Sequence, residues 1–176
     1  SGAVSGTTGT FSGDVSIADK IVHTGDTNTA LRFPDADTVS VETGGSERLR
    51  VDSSGRLLLG ATSARTAIGA VGDPFNQQEG LGADTGAMSI VRNSNTAAGP
   101  YLIFGKTRGT SDGSNTIVQA SDTIGSILFA PADGNDINQV CASITGMING
   151  TPGSNDVPGA LTLRTTADGG TSPTER

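Results

Sequence analysis

Residues Thr43 to Gly60, TGGSERLRVDSSGRLLLG, read as two short strands around a tight turn, and Thr171 to Arg176, TSPTER, repeat the opening of the same unit. This half-repeat constrains the fold more than any single side chain. Leu49 and Val51 alternate with Arg48 and Arg50, so aliphatic and charged residues point to opposite sides of the first strand. Asp52-Ser53-Ser54-Gly55 then supplies a side-chain acceptor first and a residue free to take positive φ last. Leu57 and Leu59 return to the Leu49 face. An isolated hairpin of this size is marginal in water, and a unit that cannot enclose its own apolar face must bury it on a neighbour. The sequence thus predicts an elongated, repetitive, multichain object.

Composition strengthens that expectation. Of 176 residues, 37 are Leu, Ile, Val or Phe, close to the roughly 20% at which disorder becomes the default. The 26 glycines add backbone entropy and no core, and with no Trp there are few large apolar anchors. Ordering costs about 1.5 kcal/mol per residue, which so little side-chain area hardly offsets. Burial between chains is the natural remedy.

Charge and missing motifs exclude several classes. The formal charge is −7, and Arg and Lys are scattered singly, which disfavours nucleic-acid binding. No window reaches the roughly 18 continuous apolar residues of a membrane span, and the Gly/Ser/Thr-rich start lacks a signal peptide's basic and apolar regions. The chain begins at Ser1 without an initiator Met and is read as an excerpt of a longer polypeptide. Cys141, the one cysteine, can form neither an intrachain disulfide nor a zinc site. It reads as a small strand residue beside Val140, Ala142 and Ile144.

No apolar period of 3.6 residues persists for three turns, whereas Gly, Asn, Asp and Ser interrupt the chain every few residues, which is the punctuation of strands. The predicted organisation is all-β: an extended connector over 1–13, a β-hairpin shaft cassette over 14–65, an antiparallel β module over 66–166 and the start of a second cassette over 167–176. Short strands are expected at Val15–Ile17, Lys20–His23, Ala30–Phe33, Thr38–Val41, Glu47–Val51 and Arg56–Leu59. Longer ones are expected at Ala87–Arg92, Pro100–Lys106, Asn115–Gln119, Asp122–Ala130, Asp136–Ile148 and Pro158–Thr166, forming an antiparallel sandwich or jelly-roll-like module.

Three segments carry a family resemblance: His23 to Gly60, HTGDTNTALRFPDADTVSVETGGSERLRVDSSGRLLLG; Gly105 to Phe129, GKTRGTSDGSNTIVQASDTIGSILF; and Asn149 to Arg176, NGTPGSNDVPGALTLRTTADGGTSPTER. They resemble tail-fibre proteins of tailed phages, especially of marine and cyanobacterial phages. The most distinctive stretch is Gly45 to Gly55, whose opening is echoed at Thr174 to Arg176. The resemblance implies a homotrimeric, fibrous, extracellular component of the virion. Its shaft would intertwine three chains, and its globular modules would reach the host envelope. Its partners would be other tail or baseplate proteins and a host surface glycan. Fibres of this kind often end in a self-removing chaperone domain, which nothing in residues 1–176 matches.

The sequence yields no catalytic, cofactor-binding or metal residue. His23 is the only histidine and no Gly-x-Ser-x-Gly elbow accompanies any serine. On a threefold axis three copies of His23 would meet, making a pH-sensitive contact or a bound ion conceivable. Asp35 with Asp37 and Asp133 with Asp136 are the acid pairs to weigh against glycan cleavage. Neither lies near an aromatic sugar platform, and turns recruit Asp for its bonds to backbone. The oxygen-rich loops lack the twelve-residue calcium pattern, and neither GxGxxG nor a Walker A motif occurs. Asn149-Gly150-Thr151 fits the glycosylation pattern only formally. Arg48 and Arg50 with Glu42, Glu47 and Asp52 form the densest charge cluster, and Arg50 is read as a candidate bridge to a second chain. The loops Ser111–Asn115 and Asp133–Asp136 are the candidate host contacts. The leading expectation is a fibre segment that mediates or supports host attachment by rigidity and multivalency. The alternatives are a non-receptor spacer or head fibre, and a polysaccharide depolymerase.

Overall fold

Turn chemistry sets where strands begin and end in this computed structural model, which describes Gly6 and residues 8–175. Residues 1–5 and Thr7 of the predicted connector over 1–13, and Arg176 of the predicted second cassette, lie outside the described residues. Within them the chain is all-β, without a helix, in two largely antiparallel sheets. One unit comprises Ser1–Ala64 and Phe75–Gly86, the other Arg65–Pro74 and Ala87–Arg176.

The first unit holds a six-stranded sheet of sequential neighbours: β1 (Lys20–His23), β2 (Asp26–Arg32), β3 (Val39–Thr43), β4 (Ser46–Val51), β5 (Leu57–Leu59) and β6 (Asn76–Gln78). Gly44 and Gly45 both take positive φ between β3 and β4, the requirement of a two-residue type I′ hairpin turn. The next turn is built on Asp52, whose Oδ1 accepts from Ser54 N at 2.9 Å and Arg56 N at 3.0 Å, while Gly55 sits at φ 77. The register sets Leu49 opposite Leu59 and Val51 opposite Leu57, so the aliphatic residues of the cassette do share one face. β6 adds in parallel beside β5. The sequence pattern offered no sign of it, because Asn76-Gln77-Gln78 has no apolar alternation.

The two faces of this sheet are buried the wrong way round for a free-standing chain. One cross-strand row runs Ile21, Leu31, Val41, Leu49 and Leu59, with Val39, Val51 and Leu57 in the next row on the same face. None of these eight is buried, and Ile21 is 54% exposed. The opposite face carries Ser40, Leu58, Ala30 and Gln77, all buried, beside charged pairs that are largely covered. Hydrophobic burial normally puts oil inside and charge outside.

The second unit holds a four-stranded sheet in the order β10-β9-β8-β7, with β7 (Thr123–Phe129), β8 (Ala142–Ile148), β9 (Gly159–Thr165) and the two-residue β10 (Thr174–Glu175). The same inversion recurs. Ser126, Thr145 and Thr162 share a row, and so do Leu128, Ser143 and Arg164; Ser143, Thr145 and Thr162 of this polar face are buried. The other face carries Ile127, Ile144, Leu163, Phe129 and Leu161, and Leu161 is 70% exposed.

Several predicted strands do not form. Val15–Ile17, Ala87–Arg92, Pro100–Lys106 and Asn115–Gln119 carry no ladder, and the strand predicted from Asp136 begins only at Ala142. In place of a sandwich or jelly roll, the second unit shows one sheet among the described residues. Alternation records which side chains would share a face, but a strand exists only if a second strand takes its hydrogen bonds. Met88, Val91 and Ile103 have no such neighbour and are at least 72% exposed.

Candidate functional site

The residues singled out for chemistry fall into turns and ion pairs. His23 ends β1 with its Nδ1 4.0 Å from Asp26 Oδ2, and its side chain is 67% exposed. Asp35 Oδ1 accepts from Ala36 N at 2.8 Å, and Asp37 follows at φ 53. Both acids serve the bend between β2 and β3. Asp133 Oδ1 accepts from Asn135 N at 2.8 Å and Asp136 N at 3.0 Å, while Asp136 Oδ1 accepts from Asn138 N at 2.9 Å. The bonds from Asp136 and Asn135 hold the Asp133 carboxyl below its ordinary pKa, the direction opposite to that of a proton-donating acid. Among the described residues no three His, Cys, Asp or Glu side chains cluster as metal ligands.

The charge cluster of the cassette resolves into bonds within the chain. Arg50 Nε and Nη2 donate to Glu47 Oε1 and Oε2 at 2.6 and 2.8 Å, a bidentate pair whose side chains are 18% and 11% exposed. Glu47 lies on the same strand, so the fork assigned to a second chain is already occupied. Arg32 spans Asp19 at 2.9 Å and Glu42 at 3.1 Å, and Arg48 Nε donates to Thr43 Oγ1 at 3.0 Å. Burial pushes the Asp52 carboxyl up, but the Arg56 and Ser54 donors outweigh it and leave the pKa lowered.

The loop at Ser111–Asn115 is a turn with Gly113 at φ 73 and Ser114 N donating to Ser111 O at 3.2 Å. Cys141 lies exposed just before β8, and its amide donates to Phe129 O at 2.9 Å.

Two features escaped sequence reasoning. Arg108 donates from Nε and Nη2 to Asp122 Oδ2 and Oδ1 at 2.8 and 2.6 Å, and Gln119 N adds a third donor at 2.9 Å. Fourteen residues separate the pair, and no local pattern links them. The other feature comprises the cavities against the second sheet. On its apolar face Phe104 packs across Gly125, where a Cβ would collide with the ring's own Cβ and Cγ. Phe104, Ile127, Ile144 and Leu161 line a groove of about 270 Å³ there. On the polar face lies a cavity of about 400 Å³ bordered by Ser126, Ser143, Thr145 and Arg164.

Among the described residues the arrangement offers two largely exposed apolar sheet faces, a hydroxyl-lined concavity and loops fixed by Asp. No helix among the described residues is long and apolar enough to cross a membrane. The sequence matches no protein-family model and no curated protein.

Proposed function

We propose that this chain is a segment of a homotrimeric tail-fibre protein of a tailed phage, an extracellular part of the virion that mediates or supports attachment to the host surface. The observation that carries the proposal is the inverted burial of both sheets. Eight aliphatic residues on the six-stranded sheet and Phe129, Ile127, Leu161 and Leu163 on the four-stranded one face outward, while the polar faces are covered. Obligate interfaces resemble a domain core cut in half, and these faces, bearing no charged side chain in the rows described, have that character. Net charge makes copies repel through their polar surfaces; the uncharged faces are where identical chains can meet.

In this reading the neighbouring copies supply the core that one chain lacks, and three identical loop sets presented to a repetitive envelope convert weak contacts into avidity. Other tail or baseplate proteins hold the fibre. Sedimentation equilibrium of the purified chain tests the assembly: a mass three times that of the chain is expected, and a well-folded species of single-chain mass at micromolar concentration refutes the fibre. Adsorption of the trimer to host cells separates an attachment segment from a spacer. Release of reducing ends from host polysaccharide would instead reveal a depolymerase.

A further inference from the structure

We infer that the cavity on the polar face of the four-stranded sheet binds a small hydroxylated carboxylate, a sugar acid, with Arg164 as its anchor. The inference goes beyond the fibre reading and does not rest on it, because one chain supplies every lining residue. The cavity, about 400 Å³, lies between the face of β7, β8 and β9 and the segments at 69–71 and 171–173, a size within the usual range of small-molecule sites. Its roof is fixed by bonds: Gly69 N donates to Ile137 O at 3.0 Å and Ala70 N to Asn138 Oδ1 at 2.7 Å.

Two polar atoms on this face of β9 are buried without a hydrogen-bond partner, Thr162 Oγ1 and Arg164 Nε. A buried donor left unsatisfied is costly, and such groups are rare enough to call for an explanation. Ser126 and Thr145 satisfy one another across the strands at 3.0 Å, whereas Thr162 Oγ1 and Arg164 Nε on the same face have no such partner. Among the described residues no carboxylate lines the cavity. Glu175 sits opposite Arg164 in the β9–β10 register, yet no ion pair joins them among the described residues.

The donor set selects the ligand. A guanidinium presents a planar fork that fits a carboxylate. One such cation in a chain of net charge −7 suits a ligand with a single negative charge better than a phosphate dianion. Ser143, Thr171 and Gln139 offer hydroxyl and amide groups to sugar hydroxyls, and Leu128 and Pro173 give the carbon edges an apolar wall.

Saturation-transfer difference NMR on the full chain, with galacturonate, galactose and acetate as probes, tests the site. Galacturonate is expected to receive saturation, with galactose and acetate binding about tenfold more weakly or worse, since each lacks half of the recognised groups. Arg164→Gln should abolish the galacturonate signal. Glu175→Gln, at an exposed strand edge, removes the negative charge opposite Arg164 in the register without touching the core and should strengthen the signal, so the inference stays testable if the Arg164 variant fails to fold. A chain that ignores galacturonate, an undiminished signal in folded Arg164→Gln, acetate binding as well as galacturonate, or a weaker signal in Glu175→Gln overturns it.

Discussion

Asp122 shows how one residue can carry pH dependence in a chain with a single histidine. Its carboxylate is 8% exposed and is held by the Arg108 fork and then by Gln119 N, which together drop its pKa far below the usual carboxylate range against a smaller opposing effect of burial. A folded-state pKa below the unfolded one, about 3.9, makes a contribution to stability that is fully present above the unfolded value. It is lost as pH falls toward the folded value. The melting temperature should therefore decline between about pH 5 and pH 2, and Asp122→Asn should flatten that acid limb while lowering stability at pH 7. Thermal scans by circular dichroism across this range check the sign. Gly60 is a residue whose identity is forced by its backbone. It sits at φ 77, and a Cβ there would run into the carbonyl oxygen of Glu79, the residue after β6. Gly60→Ala should cost about 1–3 kcal/mol in urea unfolding, from left-handed strain plus the displaced backbone.

Elements divide by whether their partner lies nearby in sequence. The β4–β5 hairpin was legible because its turn chemistry, alternation and register are all local, and the Asp52 bonds and the Leu49–Leu59 pairing follow from them. β6 was not legible, since its parallel pairing with β5 depends on a crossover through residues 60–75 that no short pattern encodes. The segments 87–92 and 100–106 failed in the opposite sense: they alternate like strands yet find no ladder. The inverted faces make a contrast measurable at this scale. Leu58 is fully buried within its own chain, so Leu58→Ala should cost about 2–5 kcal/mol. Val41 is 37% exposed on the apolar face, where a surface change in a lone chain is worth only about ±0.5 kcal/mol. Val41→Asp should nevertheless break the assembly, seen as a fall to single-chain mass in light scattering.

For the whole molecule, burial within one chain is thin: among the described residues the buried hydrophobic side chains are Ala30, Leu58, Val118 and Ile148. If copies complete the core, stability belongs to the assembly and follows mass action. The melting temperature should then rise with protein concentration over a hundredfold range, whereas a self-contained chain melts at a constant temperature in the same scans. The candidate cavity also belongs to this scale. Arg164 and Thr162 could be placed on one face of ALTLRT by alternation, but only the arrival of residues 69–71 and 171–173 makes that face concave. By itself the sequence determined that the chain is all-β, where its tightest turns lie and which side chains share a strand face, because these follow from backbone sterics and a two-residue period. The tertiary structure decided which strands find partners, which face is covered and which polar atoms are stranded, because those outcomes depend on contacts between segments far apart in the chain.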